Sequence, residues 1–219
     1  MYFITGLTTL IRNGETGAVV KSVIFAVVYI LFSILVSRVV LSKTPKYSKE
    51  AKQNKPLLIT AAVLNTLFVL MFGFYNLALI KASAFLELLL YASASDIQDR
   101  SVHDCISLMM LLLGFVYVSR RMLIENMMVG VGFFIFFLVV AMIADGKFGG
   151  ADMKIASASA FVLGLKSALA GTIFGLALSV IVTLILRKKS KSEDRSLPLV
   201  PYLSIGFLSA YITQTIFNL

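Results

Sequence analysis

The sequence predicts an all-α, polytopic membrane helical bundle of about eight transmembrane helices. Three observations carry that expectation. Of 219 residues, 59% are hydrophobic and only 14% are charged, with a mean hydropathy of +0.93, a balance foreign to water-soluble domains of this size. The apolar residues fall into blocks close to the roughly 20 residues an α-helix needs to cross hydrocarbon. Those blocks contain continuous runs such as VGFFIFFLVVAMI, whereas a membrane β-barrel needs alternating segments of about ten residues.

Eight segments follow in order, at 18–41, 57–75, 77–95, 105–119, 126–144, 152–166, 168–186 and 198–217. The fourth and sixth are short for a full crossing and are expected to borrow length from flanking loops or to stop below the surface. The N-terminal stretch lacks a basic n-region and a small-residue cleavage site, so the first long block is expected to be retained. The chain divides on this reading into N-terminal membrane helices with a short basic loop, 1–76, and a six-helix core, 77–219.

Lys43, Lys46, Lys49, Lys52 and Lys55 follow the first segment, and Arg187, Lys188, Lys189, Lys191 and Arg195 follow the seventh. In an eight-helix path both loops lie on one side, which the positive-inside rule makes cytoplasmic. Arg120 and Arg121 fall on the opposite side and are outnumbered. The formal charge of +9 is thus a topological signal in a lipid-bilayer protein, and no nucleic-acid partner is expected. The expected location is the plasma or inner membrane. Nothing in the sequence fixes an oligomeric state.

The same parity places the loops near 96–104 and 145–154 on the cytoplasmic side. These loops hold five of the six aspartates, Asp96, Asp99, Asp104, Asp145 and Asp152. Acids at the ends of membrane helices are costly and mark functional sites. Asp96 closes the run FLELLLYASAS, beside small residues that permit close helix approach. Asp152 follows FGGA and opens the next apolar block, where Gly149 and Gly150 let the backbone turn and approach another chain. Two carboxylates in one cleft cannot both ionise cheaply, so they share a proton and act as acid and base towards a water. The sequence leaves open which of the two starts protonated.

GGAD followed by MK, at 149–154, resembles the GxGD-x-K motif of the type IV prepilin peptidase family. DIQDRSVHD, from Asp96 to Asp104, resembles the family's D-x-x-x-x-x-I-P-[ND] stretch, and LPLVPYLSIGF resembles its proline-containing entry into the last helix. The resemblance covers about 77–219. It implies a membrane aspartyl endopeptidase that cleaves the short basic leader of a pilin-like precursor at the cytoplasmic face, with Asp96 and Asp152 catalytic. Gly149, Gly150, Ala151 and Lys154 support the motif, and Asp99, Asp104 and Asp145 are expected to attract the basic leader.

The sequence departs from the family at Ala151, where the second motif glycine is expected, and at Val102-His103, where Ile-Pro is expected. The larger members' cysteine-rich zinc and N-methyltransferase segment is replaced by SKTPKYSKEAKQNK, so leader cleavage without methylation is expected. No metal or cofactor is required. The single cysteine, Cys105, excludes a tetracysteine zinc site and an internal disulfide.

Other chemistries lack their residues. His103 and Cys105 lie two apart, about 200° around a helix, which is poor placement for a nucleophile and its base. HExxH and GxSG do not occur. The alternative from another class is an ion- or proton-coupled transporter. Its mark would be a charge at mid-membrane, and Glu87 is the one acid well inside an apolar block.

Overall fold

The computed structural model describes residues 27, 31, 59–60, 63–66, 77–116, 118–143, 149–189 and 198–217. The chain divides into two compact units, Met1–Glu87 and Leu88–Leu219. Six helices can be bounded among the described residues: α1 (Leu77–Asp99), α2 (Asp104–Gly114), α3 (Arg120–Ile143), α4 (Gly150–Leu163), α5 (Leu165–Lys189) and α6 (Val200–Phe217). In the first unit, Asn65 Nδ2 donates to Glu87 Oε1 at 2.9 Å.

The second unit is built around α4, which packs against α2, α3, α5 and α6. Ile155, Ala156, Ala158, Ser159, Ala160, Phe161, Val162 and Leu163 are all buried. Burial all round is the mark of a central helix, and the run ASASA keeps it thin enough for neighbours on every side. The Phe161 ring meets Phe115 edge to face at 5.2 Å. Ser159 Oγ meets Met110 Sδ at 3.8 Å, joining α4 to α2.

The outer helices are the reverse. On α3, Met122, Ile124, Met128, Val131, Ile135, Phe136 and Met142 are exposed, and Ile143 is 77% exposed. On α5, Ile173, Val180, Ile181, Leu184 and Ile185 are exposed as well. An apolar exterior of this extent is incompatible with water and suited to lipid. Arg120–Ile143 and Leu165–Leu186 are long and apolar enough to cross a membrane. The protein is a helical membrane protein.

The expected count of eight crossings is corrected by the helix lengths. The first segment, 18–41, and the second, 57–75, lie largely outside the described residues. Of the other six, α2 has 11 residues and α4 has 14, about 16 and 21 Å of rise against a hydrocarbon core of about 30 Å. Both are too short to span, and α4 has protein instead of lipid around it. The 23 residues of α1 include Lys81, Glu87, Asp96 and Asp99. The boundaries move for local reasons too. The sixth segment was expected to end at 166, but Gly164 takes φ 77°, a conformation that costs glycine nothing and ends α4 early.

α5 and α6 pack backbone to backbone. Gly171 and Gly175, four apart, face Gly206, whose missing side chain leaves room for the Gly171 carbonyl and the Gly175 backbone. A Cβ at Gly206 would collide with Gly171 O and lie 2.8 Å from Gly175 N. Small residues at four-residue spacing are how membrane helices gain dispersion contact without a hydrophobic drive between them. The obstacle is backbone, which cannot step aside. Gly206→Ala is therefore expected to lower stability by about 1–3 kcal/mol, read as a lower unfolding midpoint in detergent, with Gly206→Val worse.

Candidate active site

The buried face of α1 runs through Ala82, Phe85, Leu86, Leu89, Ala92 and Asp96. This is the three-and-four spacing of one helix face, and Asp96 is its last rung, 6% exposed. Just beyond, Arg100 adopts φ 51° and ends the helix, its N–H still reaching Asp96 O at 3.0 Å. Ser95 Oγ donates to Ser101 O at 2.7 Å and ties the turn down.

α6 runs antiparallel to the end of α1. Ser204 Oγ donates to Leu89 O at 3.4 Å, and Val200 N–H donates to Asp96 Oδ2 at 3.1 Å. The second contact follows from the way α6 begins. The first-turn N–H groups of a helix have no partner within it. Tyr202 and Leu203 both donate to Leu199 O at 3.1 Å, and Pro201 has no N–H to satisfy. Val200 is the remaining donor, and the Asp96 carboxylate accepts it.

Asp152 stands in the first turn of α4, with Gly149 at the N-cap. From the third helical position its carboxylate reaches back to the Gly149 backbone, the acid half of a capping box. A hydrogen bond from Gly149 favours the charged carboxylate. Gly149 has φ −72° and ψ 133°, open to any residue, so its reason is space: a Cβ there would lie 2.8 Å from Asp152 Oδ2. The other oxygen, Oδ1, is buried with no hydrogen-bond partner. At Gly150 a Cβ would meet nothing within 4 Å.

Electrostatics sets the two acids apart. Both lie outside Arg120–Ile143 and Leu165–Leu186. Desolvation by burial pushes Asp152 up, the nearby charge of Asp96 pushes it further, and Gly149 offsets part, leaving a pKa of about 7. Asp96 is also raised by burial, but the Val200 hydrogen bond and the Arg100 charge both pull it down. The charge of Asp96 thus acts on Asp152 in a partly desolvated setting and disfavours a second charge there.

Lys154, one turn of chain past Gly150, pairs its Nζ with Asp104 Oδ1 at 2.6 Å, joining α4 to the start of α2. Of the other acids expected near the site, Asp99 ends α1, and Asp145 lies outside the described residues. Ala151 occupies the second position of α4. Cys105 is exposed, and among the described residues no cluster of three His, Cys, Asp or Glu side chains stands where it would hold a metal.

The sequence reading missed Val200, because its contribution is a backbone N–H. Pro201 is the signal that could have found it: proline early in a helix marks the start, and the residue before it carries an orphan donor.

Residues 83–186, which include both aspartates, match the type IV leader peptidase family. No curated protein and no solved structure gives a significant match to the chain. Within that segment Asp96 stands at the end of α1 and Asp152 at the start of α4.

The raised Asp152 pKa has a consequence for stability. A carboxyl raised in the folded state is uncharged in both states below its ordinary value of 3.8, and burying its charge becomes a cost as pH climbs through about 7. Folding therefore weakens across that window, as the unfolded chain releases the proton first. Unfolding midpoints measured from pH 4 to pH 8 should fall with rising pH in the wild type and fall less in Asp152→Asn.

Proposed function

We propose that this chain is a membrane aspartyl endopeptidase that removes the short basic leader of type IV pilin-like precursors, with Asp96 and Asp152 activating a water between them. The observation that carries this reading is the pair itself: a buried Asp96 and a half-buried Asp152 from different helices, with the charge of Asp96 acting on Asp152, inside the segment that matches the leader peptidase family.

One carboxylate takes a proton from water, and the water oxygen attacks the scissile carbonyl carbon. The other carboxyl gives its proton to the carbonyl oxygen, forming a neutral gem-diol. The diol then returns a proton to the second carboxylate as the carbon–nitrogen bond breaks, and the first carboxyl protonates the leaving amine. The pair ends as it began. A peptide bond at the leader–helix junction suits this chemistry, because its backbone is not yet locked into membrane-helix hydrogen bonds.

In this reading 77–219 is the catalytic core, the membrane is the plasma or inner membrane, and the active-site loops face the cytoplasm. Asp99, Asp104 and Asp145 add negative charge for a basic leader. Asp104 already holds Lys154 at 2.6 Å, so its first task is to join α2 to α4. N-methylation is not assigned to this chain. The transporter alternative gains no support: Glu87, the acid on which it would rest, accepts a hydrogen bond from Asn65.

Co-expression with a pilin-like precursor, scored by the mobility shift of the cleaved product, tests the assignment. Asp96→Asn and Asp152→Asn should each lower the cleavage rate by at least about a thousandfold. Retained cleavage in either removes that residue from the pair.

The two glycines give a second, geometric test. In Gly149→Ala the new methyl meets only the flexible end of Asp152, so the protein should fold while its displaced carboxylate loses about tenfold or more in rate. Gly150→Ala, facing open space, should cleave like the wild type. Equal rates in both alanine variants would contradict the placement of Asp152.

A further inference from the structure

We infer that the backbone N–H of Val200, at the start of α6, is a positioning group that holds Asp96 as the ionised base, leaving Asp152 as the acid that carries the shared proton. This assignment rests on the peptidase reading above and adds to it the identity of base and acid.

The two carboxylates have unequal surroundings. Asp96 Oδ2 receives the Val200 N–H at 3.1 Å, a donor that no other acceptor claims, since the next residue is proline and the two after it bond to Leu199 O. The N-terminal end of α6 adds the positive end of its dipole. A hydrogen bond from a fixed N–H favours the charged carboxylate, which accepts more strongly than the neutral acid. Asp152 also receives a backbone hydrogen bond, from Gly149, but its Oδ1 is buried and has no partner. An unpartnered buried oxygen is costly as part of an anion and far less so as a neutral carboxyl.

The remaining charges point the same way. Arg100, from the end of α1 itself, favours a negative Asp96. From α4, Asp152 is raised by burial and by the charge of Asp96, with the Gly149 hydrogen bond offsetting part. Lys154, also on α4, is paired with Asp104 of α2. The first turn of α6 has no acidic residue. Asp96 is thus held in place by a group 104 residues further along the chain, outside the 83–186 segment that matches the family.

The test replaces Val200 by its α-hydroxy acid analogue, which turns the amide into an ester and deletes only the N–H. The full chain is purified in detergent with a pilin-like precursor as substrate, and kcat is followed against pH. Without the N–H, Asp96 keeps its proton to higher pH, so the acid limb of the profile should move upward. At neutral pH kcat should fall about tenfold or more, with KM little changed. Val200→Ala keeps the N–H, so whatever the truncation of this buried side chain costs in stability, the acid limb should stay where it is in the wild type.

An acid limb that stays in place, or a shift confined to the alkaline limb, overturns the assignment. If the ester variant does not accumulate in folded form, amide hydrogen exchange at Val200 decides instead: it should quicken in Asp96→Ala and not in Asp152→Ala, and equal exchange in the two overturns the proposal. Failure here is distinct from failure of the peptidase reading, which would show as cleavage surviving Asp96→Asn or Asp152→Asn.

Discussion

Burial of two carboxylates at the convergence of three helix ends is the constraint from which the rest of the second unit follows. A carboxylate away from water needs donors, and an isolated one is disfavoured steeply. Helix N-termini are donors that the fold must satisfy in any case. Here the two needs cancel. Gly149, at the start of α4, serves Asp152, and Val200, at the start of α6, serves Asp96. Each acid gains a backbone partner without any extra cationic side chain buried beside it. The bundle must then bring the end of α1, the start of α4 and the start of α6 to one place.

The packing supplies that convergence. α4 lies at the centre because its residues are small or apolar on every side, and a helix surrounded by protein need not be long enough to meet water at both ends. Its 14 residues carry Asp152 in their first turn. α6 is held against α5 by glycines whose backbones touch, and against α1 by the Ser204 hydroxyl at Leu89 O. The glycine contact is remote from the carboxylates, yet it sets the lateral position of the helix whose first N–H reaches Asp96. Lys154 and Asp104 make a partly exposed ion pair, worth little as stability, but it joins the starts of α4 and α2 beside the site.

Much of this was legible in the sequence, and what was not has physical causes. The all-helical membrane character followed from continuous apolar runs, because hydrocarbon demands that every backbone group be bonded within its own segment. Asp96 and Asp152 stood out because acids are rare beside such runs. The count of crossings did not follow, since apolar content alone does not distinguish a helix facing lipid from one buried in protein, and α4 is the second kind. Gly164 hid the end of α4 within an apolar stretch. As turn-forming glycines Gly149 and Gly150 looked alike, while only Gly149 has an acid oxygen where its side chain would be. The need for glycine there is set by the rotamer of a residue three positions on, which no local pattern states.

The asymmetry of the pair has a further consequence for how the site works. In the peptidase mechanism proposed above, two equivalent acids would leave the shared proton on either, and half of the molecules would present the base on the wrong side of the scissile bond. Both acids have a backbone donor at a helix start, and in the proposed assignment it is the unpartnered Oδ1 of Asp152 beside the Val200 N–H on Asp96 that removes the ambiguity before substrate arrives, as preorganisation of charge. It also makes the site sensitive to α6 as a rigid element. A shift of that helix along its axis by a fraction of a turn, about 1.5 Å per residue, would take the donor out of hydrogen-bond range of Asp96. Both carboxyls would then be drawn towards the neutral form by burial, and the proposed mechanism would lose its base.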